Sequence, residues 1–138
     1  MGHLINRTAR LFRQLADQRL EPLGLSSGQL PVLTALLAEE ALSQKELTEH
    51  AGIEQPTMAA TLNRMERDAI IERRTDPNDR RSSLFSLTPA ARGKAKAIKS
   101  IIESINKDSV AHLVVEDRAK FRKLLIDVIN SMERIVDG

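Results

Sequence analysis

The sequence predicts a mainly α-helical fold carrying one small β-hairpin, and three observations point to that class. Apolar residues recur at helical spacing through most of the 138 residues. Two helix-start signatures, Ser26 with Gln29 and Ser43 with Glu46, have the three-residue spacing of a capping box. Finally, "IIERRTDPNDRRSSLFSLT" sets two strand-like runs on either side of a turn-forming centre. With three phenylalanines and neither tyrosine nor tryptophan, the core must be aliphatic.

Taken in order, residues 4–20 read as an amphipathic helix, with Leu4, Leu11 and Leu15 along one stripe and Ile5 and Phe12 beside it. Pro22 and Gly24 end it. The helix after Ser26 is expected to present Leu30, Leu33 and Leu37. Ser43 starts a short helix through Leu47 to Ala51, which Gly52 stops. The next helix begins near Glu54. Pro56 is tolerated in its first turn, where an N–H would have no partner inside the helix. Ile53 and Met58 have the spacing of a hydrophobic staple. Met58, Leu62, Met65 and Ala69 form the expected buried stripe, with Gln55, Thr57, Ala60, Thr61 and Arg64 off it.

Asp76, Pro77 and Asn78 suit a type I turn between the two strands. An isolated ribbon is marginal, and Ala41–Leu42 could add a short third strand. Thr88–Pro89 begins a helix expected to reach about residue 107, with Ala91, Ala95, Ile98, Ile102 and Ile105 inward. The last helix is expected from about Glu116 to Val136. Its stripe Phe121, Leu125, Val128, Met132, Ile135 steps 4-3-4-3, the spacing of a packed helix pair.

Composition excludes several functions. Without cysteine there is no disulfide, thiolate metal site or thiol redox sensor. The apolar run "LPVLTALLA" is too short for a bilayer, and the arginine-interrupted N-terminus does not read as a signal peptide. A cytoplasmic location without membrane contact is therefore expected. His3, His50 and His112 complete no metal signature, and no cofactor is implied. Lacking a Gly-rich phosphate loop, a nucleophile elbow and a cysteine nucleophile, the chain does not read as an enzyme.

Charge is informative because it is uneven. Residues 73–99 hold eight basic side chains against Asp76 and Asp79, while the whole chain carries only +2. A short helix, a glycine turn, a second helix and then a basic ribbon is the order of a winged helix-turn-helix. Such a unit can put a helix in the major groove of a duplex and an arginine-tipped ribbon in the minor groove. Helix starts such as Ser26 and Ser43, the latter with Gln44 and Lys45 in its first turn, can offer amides to phosphates.

"GIEQPTMAATLNRMERDAIIERRTDPNDRRSSLFSLT" resembles the MarR/SlyA family of winged helix-turn-helix regulators, and "ARLFRQLADQRLEPLGLS" resembles that family's first helix. Asp79-x-Arg81 followed by Leu87–Thr88 is the most specific part of the match. The resemblance implies a dimeric transcription factor, a repressor relieved by a small molecule, bound to a pseudo-palindromic operator. By that likeness Arg81 enters the minor groove, Asp79 braces it, Arg74 and Arg80 meet phosphates, and Gln55, Thr57, Thr61 and Arg64 face the major groove. It also implies an effector site, for which Leu15, Leu30, Leu33 and Leu37 are the candidates. Ala60 departs from the SlyA-like pattern, which commonly has arginine there; alanine can touch a thymine methyl but donates no hydrogen bond. That departure leaves open a second reading, a helical homodimer acting through protein partners without sequence-specific DNA binding. The expected organisation is residues 1–25 for dimerisation, 26–88 for DNA and 89–138 for further dimer contacts, because two terminal apolar stripes need a partner.

Overall fold

The computed structural model describes Met1–Gly138. Two compact units form, Met1–Ile102 and Glu103–Gly138. The first holds a winged helix-turn-helix.

Helix α1 spans Gly2–Leu20. Only its C-terminal half is covered: Ala16 and Leu20 are buried, whereas Leu4 and Leu11 are 64% and 50% exposed. A 3₁₀ turn, Glu21–Leu23, closes it, and Gly24 follows at φ 71, a left-handed conformation that suits glycine. Asp17 reaches forward and accepts from the Ser27 N–H at 2.6 Å, tying α1 to the next helix start. The hydrogen bonds from the Ser27 N–H and hydroxyl, with Arg13 nearby, hold the Asp17 carboxyl below its usual value of 3.8. A carboxyl with a depressed folded pKa stabilises the fold above its unfolded pKa and loses that contribution as pH falls. Asp17→Asn should therefore lower the denaturant midpoint at neutral pH, with the deficit shrinking below pH 3.8. A deficit constant with pH would refute the link.

Helix α2, Leu30–Ala38, takes Pro31 in its first turn. The expected face Leu30, Leu33, Leu37 needs correcting: Val32, Leu33, Ala35 and Leu36 are the buried side chains, and Leu30 and Leu37 are half-covered. Because α2 lies against both α3 and β3, it buries a broad face instead of a narrow stripe.

Strand β1 is Leu42–Ser43, one residue later than expected, and pairs with β3 through Leu42↔Phe85 and Ser43↔Leu84. Helix α3, Gln44–Ala51, opens with the full capping box: the Glu46 N–H donates to Ser43 Oγ and the Ser43 N–H to Glu46 Oε1, each at 3.1 Å. Gly52 at φ 63 ends it. Helix α4, Gln55–Arg67, has Pro56 in its first turn and buries Met58, Leu62 and Met65. Ala69 does not continue that stripe. The helix stops at Arg67, and Ala69 turns the chain at φ 58 and stays exposed. The Thr88 hydroxyl, donating to the Ala69 carbonyl at 2.8 Å, helps hold this unfavourable backbone.

Strands β2 (Ile71–Asp76) and β3 (Asp79–Leu87) form the wing, and the sheet order is β1-β3-β2. Asp76 Oδ1 accepts from the Asn78 N–H at 2.9 Å across the turn. Ile71 faces Leu87 at the base, where both are buried. The single helix expected after Thr88 is two: α5, Pro89–Arg92, and α6, Ala95–Ser109. The break at Gly93–Lys94 coincides with Lys94 Nζ donating to the Leu23 carbonyl at 3.1 Å, a contact 71 residues away in sequence.

In the second unit, α7 spans Val115–Asp137. Arg118 donates to the carbonyls of Leu113 and Ala111, holding the preceding loop on its first turn. No α7 side chain is buried. Phe121, Leu124, Leu125, Ile129 and Met132 are each 44–50% exposed, and Ile135 is 76% exposed. No helix is long and apolar enough to cross a membrane.

Candidate nucleic-acid interface

With Met58, Leu62 and Met65 in the core, α4 turns its opposite face outward. Ala60, Asn63, Arg64 and Arg67 are all exposed at i, i+3, i+4 and i+7, one continuous row. Gln55 and Thr57 are exposed near the helix start, and Gln44 Nε2 donates to Gln55 Oε1 at 3.0 Å, joining the starts of α3 and α4. Lys45 is exposed in the first turn of α3. Ser43 sits at that start, but its N–H and hydroxyl oxygen are both engaged with Glu46.

Thr61 corrects the expected set. It is only 7% exposed, and its hydroxyl donates to the Thr57 carbonyl at 3.0 Å. Lying one residue before Leu62 and four before Met65, it falls on the inner side of α4, away from the exposed row. Asn63 and Arg67, outside the expected set, join the exposed row. Their signal was present, since they stand three and seven residues after Ala60.

The wing separates its arginines by the alternation of the strand. Arg74, Arg80 and Arg81 are exposed. The Arg81 side chain is 96% exposed, its Nε lying 3.8 Å from Asp79 Oδ1, and that carboxylate also accepts from the Arg81 N–H at 3.0 Å. Arg73, by contrast, is tied to its neighbours, although its side chain is still 41% exposed. Its guanidinium lies 4.9 Å from the Phe85 ring centre, and Nε donates to Glu66 Oε2 at 3.2 Å. The result is a polar helix row and three outward guanidiniums on a turn, able to donate to phosphates and base edges.

The leucines expected to line an effector site are not an open wall. Leu33 is sealed in the core at 0% exposure, while Leu15, Leu30 and Leu37 are half-covered. A crevice of about 330 Å³ is lined instead by residues including Leu23, Leu25, Ile70, Ala91, Lys94 and Ile98. No three metal-ligating side chains cluster.

Residues 23–82, from the turn after α1 into the wing, match the model of the MarR family. Over 122 residues the chain is 34% identical to the uncharacterized HTH-type transcriptional regulator YwoH of Bacillus subtilis (strain 168), covering 88% of each protein. The crystal structure of the S. aureus MepR–DNA complex superposes with a TM-score of 0.88 at 25% identity, covering 95% of this chain and 96% of that one. The Bordetella bronchiseptica regulator BpsR, whose DNA binding is regulated by 6-hydroxynicotinic acid, superposes with a TM-score of 0.83 at 26% identity, covering 93% and 91%.

Proposed function

The chain belongs to the MarR family of transcriptional regulators, and on that premise we propose that it works as a homodimer on a pseudo-palindromic DNA operator. Its family is one of regulators, not of enzymes. Helix α4 lies in the major groove, and the β2–β3 turn carries Arg81 into the adjacent minor groove, whose negative potential attracts a guanidinium. Residues 26–88 meet the duplex, and residues 1–25 and 89–138 supply the dimer contacts. Gln55, Thr57 and Arg64 face bases; Arg74, Arg80, Gln44, Lys45 and the start of α3 near Ser43 meet phosphates.

The observation that carries this reading is Arg81, almost wholly exposed and touched only by Asp79. A guanidinium held out on a bent ribbon by a carboxylate brace contributes little to the fold, but it suits an anionic partner. MepR, a structural neighbour, was crystallised with DNA. The dimer represses by occluding its operator in the cytoplasm, and a small molecule releases it; the regulation of BpsR by 6-hydroxynicotinic acid supports that arrangement. Since Leu33 is sealed, such an effector would have to enter beside Leu15, Leu30 and Leu37.

Selection of preferred sites from random duplexes, followed by affinity measurements across salt concentrations, tests the proposal. A regulator shows a palindromic preference and a log affinity falling linearly with log salt, about 0.9 per phosphate neutralised. Failure to prefer any duplex over bulk DNA would sink it. Ala60→Arg is expected to alter the selected sequence or to strengthen binding, because position 60 opens the exposed row. No change in either would mean that position 60 does not face the groove.

A further inference from the structure

Asn63 occupies the outer row of α4 between Ala60 and Arg64, but its amide is not free to turn. From β2, Arg73 Nη2 donates to Asn63 Oδ1 at 3.4 Å. The same guanidinium is held by Glu66 through Nε and lies over the Phe85 ring, whose side chain is 2% exposed. Three contacts from two elements therefore fix Arg73 in place. A guanidinium has five donors and no acceptor, so an amide can face it only with its oxygen. Asn63 is thereby left with its Nδ2 end, two N–H donors, as the half of the amide free of the clasp.

That polarity bears on base recognition. A freely turning asparagine pairs best with adenine, using oxygen toward N6–H and nitrogen toward N7. An amide whose oxygen is drawn back to a cation turns its N–H donors outward, and the base offering two adjacent acceptors in the major groove is guanine, through O6 and N7. We propose that Asn63 is a specificity-determining residue selecting guanine in each half-site, and that Arg73 and Glu66 are its positioning residues. The inference rests on the DNA-binding function proposed above. It also keeps Arg73 apart from the phosphate-contacting arginines of the wing, Arg74 and Arg80.

The test is site selection from random duplexes with the full-length wild type, Asn63→Ala, Arg73→Ala and the double variant, with binding measured at several salt concentrations. Asn63→Ala should lower the preference for guanine over adenine about tenfold at one base pair per half-site, leaving other positions unchanged. Arg73→Ala should weaken the same position and keep the salt dependence of the wild type, and the double variant should lose no more than Asn63→Ala alone. If thermal melting shows Arg73→Ala to be unfolded, Glu66→Gln on the surface of α4 replaces it and should weaken the same position. The proposal is overturned if Asn63→Ala changes no position, or if the base that depends on Asn63 is not guanine. It is also overturned if Arg73→Ala lowers the salt slope by about 0.9, as loss of a phosphate contact would. In those cases binding that depends on Arg81 persists and the DNA-binding function stands; a wild type that selects no duplex removes both.

Discussion

Replacing Leu125 and Ile129 with aspartate should turn the proposed dimer into a monomer and weaken operator binding at least 100-fold. Both side chains are on α7, a helix with no buried side chain of its own, and they are 45% and 44% exposed. Fully burying a leucine or isoleucine contributes about 1.5–3 kcal/mol. Roughly half of each surface is already covered, but two-fold symmetry counts each position twice, so several kcal/mol of association is at stake. Placing carboxylates in such a contact adds a desolvation cost. The effect on DNA follows from geometry: two half-sites about 34–36 Å apart are read together only by a dimer. Losing the second recognition unit forfeits an avidity that commonly reaches 10²–10⁴. Sedimentation and fluorescence anisotropy would measure both quantities, with circular dichroism checking helicity. A variant that stays dimeric would show that α7 does not carry the contact, and a monomer with undiminished affinity would show that DNA binding does not need it.

Arg81→Ala should weaken specific binding at least tenfold while leaving the proposed dimer intact and the protein as stable as before. The two halves of that statement have separate causes. The side chain is 96% exposed and its ion pair with Asp79 spans 3.8 Å in open solvent. Exposed pairs of that kind contribute little, so thermal stability should scarcely move. Tenfold in affinity corresponds to about 1.4 kcal/mol, within the range of one well-placed groove contact. Arg81→Lys would keep the charge without the planar fork, and should recover non-specific binding better than specific binding. Unchanged operator affinity in Arg81→Ala would remove the wing from the interface, whatever α4 does.

The elements that were legible in the sequence are those set by neighbours a few residues apart. The Ser43–Glu46 capping box, Gly52 after α3, Pro56 in the first turn of α4 and the Asp76–Asn78 turn all formed where their local chemistry placed them. The buried trio Met58, Leu62 and Met65 followed from helical spacing, and the exposed row opposite it, including Asn63 and Arg67, was implied by the same spacing. The misplaced residues share a different cause. Ala69 left its helix to turn the chain, with the Thr88 hydroxyl on its carbonyl from 19 residues away. The helix after Thr88 broke beside Lys94, whose amine reaches Leu23.

By itself, then, the sequence determined the order of helices and strands, the caps and turns between them, and the concentration of positive charge on the wing. These depend on backbone preferences and side chains acting within about one helical turn. The tertiary structure alone decided which arginines are available. Arg73 and Arg74 are adjacent in the chain, yet Arg73 lies over Phe85 and binds Glu66 while Arg74 stays in solvent. It likewise decided that Thr61 is buried and that α7 buries none of its side chains. Such outcomes depend on which surfaces meet across long stretches of sequence, and no local preference specifies them.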